Sequence, residues 1–121
     1  MAKNLEITVL LDFYGDMLTP KQREFLDYYY NQDLSLSEIA ANVGITRQGV
    51  RDAIKRAEGQ LIEMEERLGL VRRFKEVEKG LAEIIDCASR ISAENRKTGL
   101  SREISDLTVR IKSIALSLSE E

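Results

Sequence analysis

The chain has 121 residues, of which 43% are apolar and 32% are charged, and its net charge is −3. This length and composition fit one soluble folded domain, or one small domain with an appendage, and exclude an intrinsically disordered chain. The absence of histidine and the single cysteine, Cys87, exclude histidine-based catalytic triads, histidine or thiolate metal sites and an internal disulfide.

Other residues that could support catalysis are also scattered. Gly44, Gly49, Gly59 and Gly69 lie too far apart for a phosphate-binding loop and follow no strand-like run. Most of the 21 carboxylates lie among lysines and arginines, where a solvated surface role is expected. We therefore expect a protein that is not an enzyme, with no catalytic residue, no cofactor and no metal.

The sequence also predicts neither a membrane span nor a signal peptide. No apolar run approaches the roughly 20 residues that a membrane span needs. The first residues, MAKNLE, lack the charged and then apolar layout of a signal peptide. We expect a cytoplasmic protein without membrane contact.

Apolar residues recur at spacings of three and four almost throughout, which predicts an all-α fold of five or six helices. The first helix is predicted over about 3–15, with Gly15 as its stop, and the second over about 20–31. Thr19 and Pro20 mark the second start, because a threonine hydroxyl caps free backbone N–H groups and proline suits the first helical position.

The segment 35–61 predicts a helix-turn-helix. Ser35 and Glu38 have capping-box spacing at the start of a short helix, and Gly44 supplies the left-handed residue that ends it. Thr46 then caps a second helix after a turn of three or four residues, which is the spacing of a helix-turn-helix. A plain helical hairpin is the alternative. The inner face of the second helix is predicted to comprise Val50, Ala53, Ile54, Ala57 and Leu61.

The outer face of this second helix is basic. Between Thr46 and Arg56 four basic residues stand against one acid, Asp52, in a chain of net negative charge. Arginine can pair with guanine and glutamine with adenine, aspartate can accept from cytosine, and basic residues further along suit phosphates. The alternative interpretation is an ordinary solvated face. The residues predicted to contact DNA are Thr46, Arg47, Gln48, Arg51, Asp52, Lys55 and Arg56.

The region from Leu10 to Leu61 resembles the YlxM-type family. The blocks DFY, LTPKQ, YYY, SLSEIA and TRQGVRDAIKR carry the resemblance, which covers a little over 40% of the chain and continues loosely to about Phe74. Members are small helix-turn-helix DNA-binding proteins encoded beside the signal recognition particle GTPase in Gram-positive bacteria. The resemblance implies a regulatory or accessory role in protein export.

The same segment resembles region 4 of sigma-70-type factors, whose corresponding helix reads the −35 promoter element. Carried over, this resemblance implies base or phosphate contact by Arg47, Gln48, Arg51 and Asp52. Gly49 and Asp52 depart from the residues more usual in that region.

The C-terminal half carries two seven-residue patterns. Leu68-Gly69-Leu70 predicts the end of one helix and the start of the next, and a polar segment, 94–99, is predicted to join the two patterned stretches. Patterns of matching length predict paired helices that run antiparallel as a hairpin. The patterned positions are Leu70, Phe74, Val77, Leu81, Ile84, Ala88 and Ile91, then Leu100, Ile104, Leu107, Ile111, Ile114 and Leu118.

Two domains are therefore expected. Residues 1–69 form a helix-turn-helix domain (winged-helix-like, sigma region 4-like), and residues 70–121 form an antiparallel helical hairpin. Because two helices alone bury little, we expect the hairpin to make a homodimer; an intramolecular bundle with the first helix is the alternative.

The leading hypothesis is a regulatory protein that binds double-stranded DNA through the recognition helix Thr46–Arg56. A dimer would read half-sites about 10 bp apart or a multiple of that. The alternative is an accessory protein that binds the signal recognition particle GTPase or its RNA instead of DNA, which the acidic net charge and the resemblance favour. A third hypothesis, an RNA polymerase- or sigma-interacting module, depends on the sigma resemblance alone.

Overall fold

The computed structural model of the chain describes residues 1–99 and 101–119. Its helices confirm the predicted all-α class, and these ranges contain no strand, so no β-hairpin wing accompanies the helix-turn-helix. No helix within them is long and apolar enough to cross a membrane. The helices are α1 (Glu6–Tyr14), α2 (Pro20–Leu26), α3 (Leu36–Val43), α4 (Arg47–Leu68), α5 (Leu70–Thr98) and α6 (Arg102–Ser119).

The chain divides into two compact units, Met1–Val71 and Arg72–Glu121. In the first unit α1, α2 and α3 pack against α4, which forms the centre of the core. Val71, in the first turn of α5, completes this core. The largest fully buried side chains are Ile7, Tyr14, Leu26, Ile39, Val50, Ile54 and Leu61.

The helix starts of the first unit follow the predicted capping signals. The Thr19 hydroxyl accepts from Gln22 N at 3.2 Å, and the Gln22 side chain accepts from Thr19 N at 3.1 Å. Ser35 and Glu38 make the same reciprocal pair, both bonds 3.1 Å long. Each box satisfies two backbone N–H groups that a helix start leaves without a partner.

Two of the predicted helices have different bounds. The first starts at Glu6 and not near residue 3, because the Asn4 side chain accepts from Glu6 N and the Asn4 carbonyl accepts from Ile7 N. A 3₁₀ turn, Gly15–Met17, follows α1. The predicted second helix is divided into α2 and a π-helical turn, Asp27–Asn31.

The second unit is the predicted antiparallel hairpin, but its joint is shorter than expected. The helix α5 continues through the polar segment 94–98 to Thr98, since Glu94, Arg96 and Lys97 are good helix formers and the strongest helix breaker, Gly99, comes only after them. The Asn95 amide donates to the Ser101 carbonyl at 2.8 Å and accepts from Ser101 N at 2.9 Å. Leu100 of the predicted pattern lies outside the described residues.

Candidate nucleic-acid interface

A three-residue turn, Gly44–Thr46, separates α3 from α4. Gly44 has φ +81°, a left-handed conformation, and its N–H donates to Ala40 O at 2.9 Å. Only glycine adopts this conformation without strain. Thr46 then turns to extended backbone, and its hydroxyl accepts from Gly49 N at 3.0 Å. The turn and cap together fix the direction in which α4 leaves α3.

Gly49 makes room for this cap. A Cβ atom at Gly49 would lie 3.1 Å from Thr46 Oγ1 and 3.5 Å from Ile45 Cδ1. The first distance is shorter than ordinary van der Waals contact, so a larger residue would require the capping hydroxyl to shift by a few tenths of an ångström. The glycine therefore has a local packing role at the start of α4.

All seven predicted DNA-contacting residues are exposed, at the cap and in the first turns of α4. Gln48, Arg51, Asp52 and Lys55 lie on the side away from Val50, which is fully buried in the core. The geometry thus brings together every side chain of the predicted set, while its contact with DNA stays a prediction. The exposed residues are Thr46, Arg47, Gln48, Arg51, Asp52, Lys55 and Arg56.

The guanidinium groups of this stretch are available to a ligand. Within 1–99 and 101–119, Arg47, Arg51 and Arg56 form no ion pair. The Gln48 amide donates to Asp52 Oδ1 at 3.0 Å, which orients both side chains. Such arginines can bind guanine or phosphate in pairs of parallel hydrogen bonds without first losing an intramolecular partner.

A buried hydrogen bond holds α4 directly behind the basic residues. Tyr30 Oη donates to Glu58 Oε1 at 2.5 Å, and Glu58 is only 7% exposed. The other oxygen, Glu58 Oε2, lies 3.9 Å from Lys55 Nζ. Burial, and then the bond to Glu58, raise the pKa of Tyr30 above its ordinary value, so its hydroxyl stays a donor into more alkaline solution than an exposed tyrosine would.

A second hydrogen-bonded cluster holds the far end of α4. Tyr14 Oη donates to Glu65 Oε1 at 2.6 Å and accepts from Leu70 N at 3.1 Å, while the same carboxylate oxygen accepts from Val71 N at 3.1 Å. The cluster spans the left-handed Gly69 at which α4 ends. The helix α4 is therefore fixed at its capped start, its middle and its end.

The structure adds one basic residue that sequence reasoning missed. A shallow groove of about 210 Å³ separates the start of α2 from α4, and Lys21 and Arg56 both line it. Lys21 is exposed and extends the basic surface from one helix to the next. Because Lys21 and Arg56 are distant in sequence, only their packing reveals that they are neighbours.

Comparison with known proteins agrees with this fold. The sequence profile of the family UPF0122, described as "Putative helix-turn-helix protein, YlxM / p13 like", matches residues 1–101. A UPF0122 protein of Acetivibrio thermocellus is 41% identical over 117 residues, covering 97% of this chain and all of its own length. One of Desulforamulus reducens is 42% identical over 97 residues, covering 80% of this chain and 83% of its own.

Proposed function

Because the chain belongs to the UPF0122 family of YlxM/p13-like helix-turn-helix proteins, we propose that it binds double-stranded DNA with the recognition helix 46–56 in the major groove. Arg47, Gln48 and Arg51, near the helix start, contact base edges, and Asp52 accepts from cytosine. Lys55 and Arg56 contact phosphates. Thr46 orders the helix start through its cap.

The observation that carries this proposal is the set of three exposed, unpaired arginines on a helix anchored by buried hydrogen bonds. A rigid helix loses little conformational freedom on entering the groove, so less binding energy is spent on ordering it. A flexible or internally paired basic segment would lack this advantage. The proposal is one of binding, with no catalytic step.

Charge limits where DNA can bind. Residues 1–71 carry eight basic and twelve acidic side chains, so most of this unit repels phosphates. Binding is then confined to the recognition helix and Lys21, and few phosphates are neutralised. We expect a shallow dependence of affinity on salt, because the slope follows the number of phosphates contacted.

The broader roles predicted from the sequence belong to this proposal. In its fullest form, the proposal is that the chain is a cytoplasmic regulatory protein whose homodimer pairs two recognition helices. The resemblance to sigma region 4 supports insertion of this helix into the major groove. Binding to the signal recognition particle GTPase, to its RNA or to RNA polymerase stays a prediction. Pull-down with each purified partner tests these alternatives separately from DNA.

The proposal is tested by selection from random-sequence DNA duplexes with the full-length protein. Wild type is expected to enrich one motif, and Arg51→Ala to lose preference at one base pair of it, because a bidentate arginine contact discriminates bases by about 1–3 kcal/mol. Arg67→Ala is the matched control, since Arg67 lies on the same helix in an exposed ion pair with Glu63. Enrichment of no motif by wild type would contradict sequence-specific reading.

A further inference from the structure

The buried positions of the hairpin are mainly small or polar side chains. On α5 the buried positions are Leu81, Ala88 and Asn95, and on α6 they are Thr108 and Ala115, in each case seven residues apart. At about 3.6 residues per turn, this spacing keeps one line of contact along each helix. Among these buried positions, only Leu81 is a large aliphatic residue.

Larger aliphatic residues beside this line stay in contact with solvent. Each is between 41% and 53% exposed. Spacings of three, four and seven keep the residues of each helix on one side of it. A groove of about 360 Å³, lined by Ile84 and Ile91 of α5 and Ile111 of α6, shows that the two sets meet on the same side of the hairpin. We call this set the apolar face: Ile84, Ile91, Leu107, Ile111, Ile114 and Leu118.

The apolar face is large for a surface that stays in water. Six half-exposed aliphatic side chains make up an apolar area on the order of 500 Å², at the upper end of the largest patches on typical monomers. Two such faces packed together would bury on the order of 1,000 Å² in total, the least expected of a specific protein interface. Because a small helical hairpin buries little core of its own, covering this area would stabilise it.

We infer that the apolar face is covered by the same face of a second copy of this chain, so that two hairpins form a four-helix bundle. The charge of the hairpin favours a second copy as the occupant. Residues 72–121 carry ten basic and nine acidic side chains, so two copies do not repel each other and phosphates are not attracted. In such a bundle each helix packs against its neighbours along two lines of contact. The small residues would form the contact within each hairpin, and the large residues of the apolar face would form the contact between the two hairpins.

The position of Cys87 beside the patterned residues predicts a small buried side chain, and for the chain alone this prediction is wrong. Cys87 is exposed in the chain alone and lines the groove beside Ile84. The second copy covers it. The inference does not depend on DNA binding, because the oligomeric state of the chain is measured without DNA.

Sedimentation of the full chain between about 1 and 100 μM tests the inference. We expect wild type to have twice the 13.8 kDa mass of the chain. Ile84→Glu with Ile111→Glu is expected to give monomers, since two charges per copy would enter the apolar interface. The control is Val109→Glu with Leu116→Glu, which alters aliphatic residues 63% and 48% exposed on the other side of α6. It should stay dimeric.

A milder pair keeps the test decisive if the glutamate variant fails to fold. Ile84→Ala with Ile111→Ala preserves helix propensity and is expected to raise the dissociation constant at least tenfold with unchanged helicity by circular dichroism. Monomeric wild type across the concentration range would overturn the inference. Equal dissociation constants for the alanine variant and wild type would overturn it too.

Discussion

Gly44 and Gly59 both have open space where a side chain would extend, with no atom within 4 Å of a Cβ placed at either position. They differ in backbone conformation, because Gly44 has φ +81° and Gly59 lies inside α4. An alanine at Gly59 gains helix propensity, whereas an alanine at Gly44 is forced into a left-handed conformation. The same substitution therefore has opposite consequences at the two positions.

We expect Gly59→Ala to raise the free energy of unfolding by up to about 1 kcal/mol, and Gly44→Ala to lower it by about 1–2 kcal/mol. Equilibrium unfolding in urea measures both changes. The pair controls for the added methyl group, since neither site is crowded. Changes of the same sign in the two variants would contradict this account of the helix-turn-helix turn.

Local chemistry explains which residues could be predicted from the sequence. The caps at Thr19, Ser35 and Thr46 and the left-handed glycines at 44 and 69 depend on neighbours within a few residues, so their spacing alone indicates them. Lys21 beside Arg56 depends on how α2 packs against α4. No local pattern encodes that approach, and the sequence therefore missed it.

At the scale of elements, the helices could be predicted from apolar periodicity, and their ends less well. The polar segment before Gly99 resembles a joint in sequence, yet polarity does not break a helix whose residues have high helix propensity. The π-helical turn Asp27–Asn31 could not be predicted either. There the Asp27 carboxylate accepts from the Asn31 and Gln32 side chains, and these two hydrogen bonds lower the pKa of Asp27.

The join between α4 and α5 depends on one buried phenol. Tyr14 is fully buried, and its hydroxyl bonds to Glu65 and to Leu70 N. Burial, followed by the bond to Glu65, raises the pKa of Tyr14 above its ordinary value near 10. The folded state therefore favours the neutral phenol. The stability that it contributes is complete below pH about 10, the unfolded pKa, and is lost as the pH rises above it.

We expect Tyr14→Phe to lower the free energy of unfolding by about 1–3 kcal/mol at pH 7, because Glu65 and Leu70 N lose a buried partner. Its stability should also fall less steeply than that of wild type above pH 10. Chemical unfolding at several pH values measures both effects. Tyr28→Phe is the control, since the Tyr28 hydroxyl bonds to Glu24 at the surface. Equal losses in the two variants would rule out a special role for the join.

At the scale of the whole molecule, charge is divided unevenly between the two units. The helix-turn-helix unit is acidic outside its recognition helix, and the hairpin is nearly neutral. We therefore expect DNA affinity to come from a few residues of α4, and the proposed association of copies to come from the apolar face. Mutations in one surface are expected to leave the other function intact, except where dimerisation raises DNA affinity by pairing two recognition helices.

The most direct test of the central claim is fluorescence anisotropy of labelled genomic duplexes with the full-length protein at about 50 and 200 mM salt. We expect wild type to bind with a sequence preference that survives the higher salt, and Arg51→Ala with Lys55→Ala to bind at least about tenfold more weakly. Arg67→Ala with Arg90→Ala removes the same charge from exposed ion pairs elsewhere and should bind like wild type. Weak wild-type binding that the Arg51 and Lys55 substitutions leave unchanged would contradict recognition of DNA by this helix.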